Sequence, residues 1–480
     1  MRNVLIIFCM GFSVFFLIPP VFAEDSLDLR RVIELQQKQL EEQQQQINAQ
    51  QQQLEEQRNM LLDMQQKIEG LTGVAVPQKV IAGEKSTAPQ SETAISRRTD
   101  TKTTRRDKEQ THEEWKGSFA VKGMNTRFKI GGFAELDVIH DTDAIASKGK
   151  FITSTIATGD DATKIDGSDG QTSFSVNPTR LYIETRTPIK QHRVTTFVSM
   201  DFYGDAFGVS PEPRLRQAYG ELSNILFGGD LMAGQTWTTF ADLEAFPNVL
   251  DFQGPNSFFG IRQPLLRWTR GLDDGFKLMI AAETPDNHII QGADSLTAWP
   301  DGVVSMVWDE NAFHLMGSVI ARDLRGSYED GPTQSAFGWG TSVSGKMKMP
   351  YVAKEDFMTF SVTYGEGIGS NFNDQPLDAV FDPTRSELTT VPVFGYFVSY
   401  EHWWSRQLNS TVVYGFLEAD NLDVQSSDSF KETQYASANL VWRPVESLLL
   451  GIEGLWGKRE DKGGADGTDL RTLLTTRYTF

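Results

Sequence analysis

Eight arginines crowd one stretch of this chain: Arg180, Arg186, Arg193, Arg214, Arg216, Arg262, Arg267 and Arg270. A guanidinium stays charged inside a protein and grips a carboxylate through two parallel hydrogen bonds. If these residues share one enclosed space, they form an anion-selecting wall; scattered, they are surface charge. Period-two alternation gives several of them a direction. Where Leu181 and Ile183 face one way, Arg180, Tyr182, Glu184 and Arg186 face the other. Where Pro264, Leu266 and Trp268 face out, Gln263 and Arg267 face in. Leu215 outward sends Arg214 and Arg216 inward, although Tyr219 then shares the outward face. Within this stretch lies FADLEAFPNVLDFQGPNSFFGIR, Phe240 to Arg262, which carries Asp242, Glu244 and Asp251. It is long, yet too rich in Phe, Leu and Pro for an exposed loop, which suggests that it folds back against a wall.

Other chemistry is absent from the pattern. The six histidines, at 112, 140, 192, 288, 314 and 402, are not paired at metal-ligand spacing. No nucleophile elbow and no phosphate-cradling glycine loop occurs. No catalytic residue, metal or cofactor is expected, and the chain is not read as an enzyme. A net charge of −19 argues against a nucleic-acid partner.

The elements that must position the arginines are strands of roughly ten residues. In Phe357–Gly365, Met358, Phe360, Val362 and Tyr364 alternate with Thr359, Ser361 and Thr363. In Gln434–Trp442, Ala436, Ala438, Leu440 and Trp442 alternate with Tyr435, Ser437 and Asn439. The final strand sets Leu470, Leu474, Tyr478 and Phe480 against Arg471, Thr475, Arg477 and Thr479. Sixteen such strands start near 128, 179, 193, 214, 230, 262, 275, 300, 312, 336, 356, 393, 408, 432, 447 and 470. Short turns such as 188–192 and 443–446 alternate with long loops at 141–177, 240–261, 366–392 and 460–469. All long loops at one end is the habit of an outer-membrane barrel, not of a soluble sandwich. Closure satisfies every backbone hydrogen bond in lipid and removes the sheet edges.

Ahead of the barrel the sequence changes character. A basic start, an apolar run and small residues at Val21 and Ala23 make residues 1–23 a secretory signal peptide. The only cysteine, Cys9, lies inside it, so the mature chain has no disulfide. No later run of about 18 apolar residues offers a transmembrane helix. From 24 to 72 a glutamine-rich segment carries Ile33, Leu40, Ile47, Leu54, Leu61 and Ile68, each seven apart. A strict heptad is a coiled-coil seam, and a seam on one helix demands partner helices. Residues 73–117 read as a flexible linker and 118–480 as the barrel. The fold class is therefore all-β, a 16-stranded antiparallel transmembrane β-barrel preceded by an N-terminal α-helical coiled coil.

GQTWTTF (Gly234–Phe240), LEAFPNVLDFQGPN and RQPLLRWT (Arg262–Thr269) resemble the corresponding segment of DcaP-like porins. The resemblance runs from FKIGGFAELDV (Phe128–Val138) to Phe480. It implies a homotrimer of channels in the bacterial outer membrane, with the third loop as constriction and the coiled coil in the periplasm. It further implies diffusion of small anionic solutes, dicarboxylates being the usual suggestion. On that resemblance the constriction acids are Asp242, Glu244 and Asp251. The basic wall takes in Arg180, Arg186, Arg214, Arg216, Arg262 and Arg267, and Phe480 looks like the signal for the barrel assembly machinery. Leu265 and Leu266 make the returning strand more apolar than the family pattern suggests.

Two other readings use the same residues. One is a barrel plugged by its own loop, a structural anchor for the periplasmic coiled coil. The other is a saccharide-type channel, which wants a continuous aromatic slide; Tyr182 and Tyr435 are scattered candidates. Across a water-filled gap of about 10 Å each lumenal charge is worth roughly 0.4–1.7 kcal/mol, enough for several together to select anions.

Overall fold

The computed structural model describes residues 115–480 apart from 160–166, 206–209, 273–274, 285–287 and 329–330. The signal peptide, the heptad seam from Ile33 to Ile68 and the linker up to residue 114 lie outside the described residues.

Sixteen antiparallel strands close on themselves. They are β1 (Arg127–Asp141), β2 (Gln171–Ser175 continued by Arg180–Ile189), β3 (His192–Asp201) and β4 (Arg214–Ile225). Next come β5 (Gly229–Trp237), β6 (Arg262–Gly271), β7 (Phe276–Glu283) and β8 (Asp301–Asp309). β9 (Phe313–Ser327), β10 (Gln334–Lys348), β11 (Phe357–Glu366) and β12 (Pro392–Trp403) follow. The set ends with β13 (Leu408–Ala419), β14 (Phe430–Val445), β15 (Leu448–Asp461) and β16 (Asp466–Thr479). β16 pairs with β1 from Phe133↔Thr479 to Asp141↔Arg471, and Phe480 exchanges both backbone bonds with Gly132 at 3.1 Å. No sheet edge is left in the wall.

Fourteen of the sixteen strands begin within two residues of the sequence expectation, and the two exceptions have separate causes. Pro178 cannot donate to a ladder, so β2 breaks at 176–179 and its upper piece hides inside what reads as loop. Loop 1 is therefore 142–170. In β16 the first residues, Asp466–Asp469, are polar but still pair with β15. The expected long loop at 460–469 is in fact the turn 462–465.

Alternation places apolar side chains outward: Val304, Met306, Val319, Phe337, Val343, Val362, Leu440 and Ile452 are all exposed on the isolated chain. The inner face of β8–β12 is small and hydroxylic, with Ser305, Ser318, Ser342, Ser344, Thr359, Ser361, Thr363 and Ser399 buried. Loops 3 (238–261) and 6 (367–391) pack onto this inner face, and loop 1 packs onto the inner face of β1 and β13–β16. Phe240, Phe259, Ile368 and Phe372 form one cluster with Val303, Ile320, Val393 and Leu417 of the wall. Phe151, Ile156 and Leu250 form another with Ile139, Val413, Tyr435 and Leu455. The hydrophobic core thus lies within the barrel, between loops and wall. Two inward glycines make the close approach possible. A Cβ on Gly415 would stand 2.5 Å from Asn256 Oδ1, and one on Gly451 2.5 Å from Leu250 Cδ1.

Candidate functional site

A cavity of about 760 Å³ remains between loop 3 and the wall of β1, β2, β4–β6 and β16. Six cations line it: Lys150, Arg180, Arg214, Arg216, Arg262 and Arg477. Among the described residues only two carboxylates do, Glu135 and Asp251. The alternation conflict at Leu215 and Tyr219 is resolved by a bulge. β3 pairs Met200 with Leu215 but Ser199 with Gln217, so Arg216 is an extra residue and the parity of the strand flips there. Arg214 and Arg216 both reach Asp201, and Tyr219 turns inward to stack on Phe197. The buried Asp201 accepts Nε of Arg214 at 2.9 Å, its Nη2 at 2.7 Å and Nη1 of Arg216 at 2.5 Å. One carboxylate thus serves two guanidinium groups.

The remaining cations are held by aromatic faces. Arg180 and Arg477 lie over the Phe133 ring at 5.3 and 4.5 Å, and Arg477 also pairs with Glu135. Arg262 lies over Trp237 at 4.6 Å. Lys150 of loop 1 lies over Tyr203 at 5.4 Å, and Tyr203 packs on Phe252 of loop 3 with ring centres 4.2 Å apart. Among the described residues, Lys150, Arg180 and Arg262 have no carboxylate within ion-pair distance, and Arg180 Nε is buried without an acceptor. Burial, with the Arg214 guanidinium alongside, lowers the Lys150 ammonium below the usual lysine range.

Loop 3 is fixed by carboxylates that receive amides. Glu453 of β15 accepts the N–H groups of Leu250 and Asp251 at 2.7 and 2.8 Å. Asp251 accepts those of Phe151, Gln253 and Gly254 at 3.0, 2.9 and 2.9 Å. Burial raises its carboxyl above the usual range, with Arg471 and these amides opposing. Asp242 accepts from His314 Nε2 at 3.0 Å and Ser344 Oγ at 2.7 Å. Burial disfavours its ionisation, but the His314 bond and charge outweigh that and hold it below the usual range. Asn256 Nδ2 donates to the Thr433 carbonyl and hydroxyl at 3.0 and 2.9 Å.

A family model for the DcaP outer membrane protein matches residues 119–480. The chain belongs to the DcaP outer membrane protein family. It is similar to the crystal structure of the outer membrane channel DcaP of Acinetobacter baumannii, at 21% identity and a TM-score of 0.67. That match covers 76% of this chain and 100% of the other. It is also similar in fold to the anion-selective porin from Comamonas acidovorans, at 9% identity and a TM-score of 0.51. There the match covers 74% of this chain and 100% of the porin. No curated protein matches the sequence. The chain is thus an outer-membrane barrel with a porin-type channel fold.

Within this DcaP-family barrel the arginines divide. Arg180, Arg214, Arg216 and Arg262 line the cavity, whereas Arg186 and Arg267 sit nearer the short-turn end and outside it. Arg186 pairs with Glu184 at 2.7 Å and lies over Trp115 at 4.2 Å; Arg267 Nη2 reaches Met232 Sδ at 3.2 Å. Arg193 and Arg270 are exposed near the turns. Asp242 and Asp251 are occupied as loop pins, and Glu244 is half-buried outside the cavity lining. Tyr182, Phe197 and Tyr219 stack across β2–β4 at 5.7 and 5.6 Å, three rings rather than a slide along the lumen. Tyr435 is fully buried beside Phe151. Lys150 and Arg477 are additions to the expected basic wall. The alternation of the final strand already places Arg477 inward, but nothing local marks Lys150.

Asp374 ties loop 6 to loop 1 and to β14: its Oδ2 accepts Thr153 Oγ1 at 2.5 Å and Thr433 Oγ1 at 2.6 Å. Burial raises this carboxyl to about 6, against the opposing effect of those two bonds. A carboxyl raised in the folded state contributes its full stability in acid and loses it as pH rises through that value. Limited proteolysis of loops 1 and 6 is expected to run several-fold slower at pH 5 than at pH 7.5, with Asp374→Asn removing the difference. Equal rates in the unmodified protein at both pH values would contradict this role.

Proposed function

We propose that the chain is a passive, anion-preferring diffusion channel for small organic anions, dicarboxylates being the class the family resemblance brings. Loop 3 is its constriction and the basic wall its filter. One observation carries the reading: Lys150, Arg180 and Arg262 face the cavity with no carboxylate partner among the described residues, while Asp242 and Asp251 of loop 3 are taken up in holding the loop. In a chain of net charge −19, uncompensated positive charge in the lumen needs a purpose. Narrow, low-dielectric walls focus the field of such groups on a passing ion.

The test is the zero-current potential of the purified protein in a planar bilayer under a tenfold KCl gradient. Its sign should report chloride preference. Arg180→Gln or Arg262→Gln should each lower chloride permeability by about two- to fifteen-fold, from the Coulomb energy of one charge across the gap, and lower the chloride-to-potassium ratio with it. Cation preference would overturn the reading. Absence of conductance would favour the anchor.

The working unit on this reading is a homotrimer whose N-terminal helices, after cleavage at 23, join beneath the pores along the Ile33–Ile68 seam. Support comes from the outward face of β2–β5, where Thr185, Thr187, Thr196, Ala218, Gly220 and Ala233 make a small or polar patch beside the exposed Leu181, Ile183, Val198, Met200 and Leu215. Thr185 and Thr196 hydroxyls bond each other at 2.6 Å across that face. Such a surface suits protein better than lipid. Deleting residues 24–71 should lower the temperature at which the trimer band on unboiled gels dissociates, and an unchanged band would contradict the role of the seam.

A further inference from the structure

Loop 3 has two faces of different chemistry. Phe240, Ala245 and Phe259 are buried against the wall and do not line the cavity. Leu243, Phe246 and Val249 recur every third residue and line the cavity, and Phe252 continues the row beneath Arg214 and Arg216. Leu243 is 48% exposed, unusual for a leucine in a loop packed inside a barrel. Phe246 is set edge-on against Phe258 at 4.7 Å, which fixes the start of this strip. From Thr238 to Ile261 the loop contains no Lys, Arg or His. Every cation at the cavity comes from β2, β4, β6, β16 or loop 1. The aperture therefore has a basic side and an apolar side.

We infer that this site selects amphipathic monocarboxylates, an anionic head with an aliphatic or aromatic body, over α,ω-dicarboxylates of the same length. The inference rests on the anion-channel reading and replaces the dicarboxylate class with monocarboxylates. The carboxylate head meets Arg180 and Arg262, whose side-chain donors have no acceptor among the described residues, while the body lies along Leu243, Phe246 and Val249. A second carboxylate at the far end of the chain would instead meet a strip with no donor cation. It would exchange its hydration for leucine and phenylalanine, an unfavourable transfer. Apolar burial adds with each methylene, so the strip converts chain length into residence.

The test measures block of the chloride current through the full-length protein in planar bilayers by acetate, butyrate and hexanoate, and by succinate and adipate. Blocking affinity of the monocarboxylates should rise by about two- to fourfold per methylene, and hexanoate should block at least about tenfold better than adipate. Leu243→Asn should flatten the monocarboxylate ladder and Leu243→Met should restore it. Adipate blocking as well as hexanoate, or a ladder unaltered by Leu243→Asn, would overturn the inference while chloride preference stood. Loss of chloride preference in the unmodified channel would instead remove the anion-channel reading itself, and this inference with it.

Discussion

The arrangement depends on one buried carboxylate, that of Glu453. A loop of some two dozen residues inside a barrel brings many backbone N–H groups into a place where unpaired polar groups are costly. Glu453 receives two of them, from Leu250 and Asp251, at the tip of loop 3. Asp251 then takes three more, one of them from Phe151 of loop 1. A carboxylate on a strand is rigid, so this tie fixes the position of the loop tip as well as its stability. Phe252 is thereby set against Arg214 and Arg216, and the cavity takes its width.

The same use of carboxylates explains why an acidic chain has a basic cavity. Acids near the lumen are used to bond amides, hydroxyls or paired arginines: Asp201 with Arg214 and Arg216, Asp242 with His314 and Ser344, Asp374 with two threonines. Elsewhere in the interior Arg322 joins Asp301 and Asp378 at 3.0 and 2.9 Å and anchors loop 6. What is left over at the cavity is positive. Aromatic faces from Phe133, Trp237 and Tyr203 support these cations without neutralising them.

Much of this was legible in the sequence because a barrel wall obeys a local rule. Each strand alternates, each turn is short or long, and Arg180, Gln263 and Arg267 take their direction from neighbours one residue away. Parity failed where the ladder is irregular. The bulge at Arg216 puts Arg214, Arg216 and Tyr219 all inward, which no strict alternation allows. Arg262 and Pro264 share the parity opposite to Gln263, yet all three line the cavity at the start of their strand. The roles of Asp242 and Asp251 were illegible for a different reason. Whether a loop carboxylate faces solute or amide depends on partners such as Ser344 and Phe151, roughly a hundred positions away. Gly415 and Gly451 on inward positions were the missed signal that something packs closely there.

The most direct measurement is single-channel conductance of Glu453→Ala beside the unmodified protein. If the Glu453 carboxylate holds loop 3 as the constriction, the variant should conduct more, with noisier open levels, and its chloride preference should fall as the loop tip leaves the basic wall. Unchanged conductance and selectivity would mean that loop 3 does not set the aperture, contradicting the central claim.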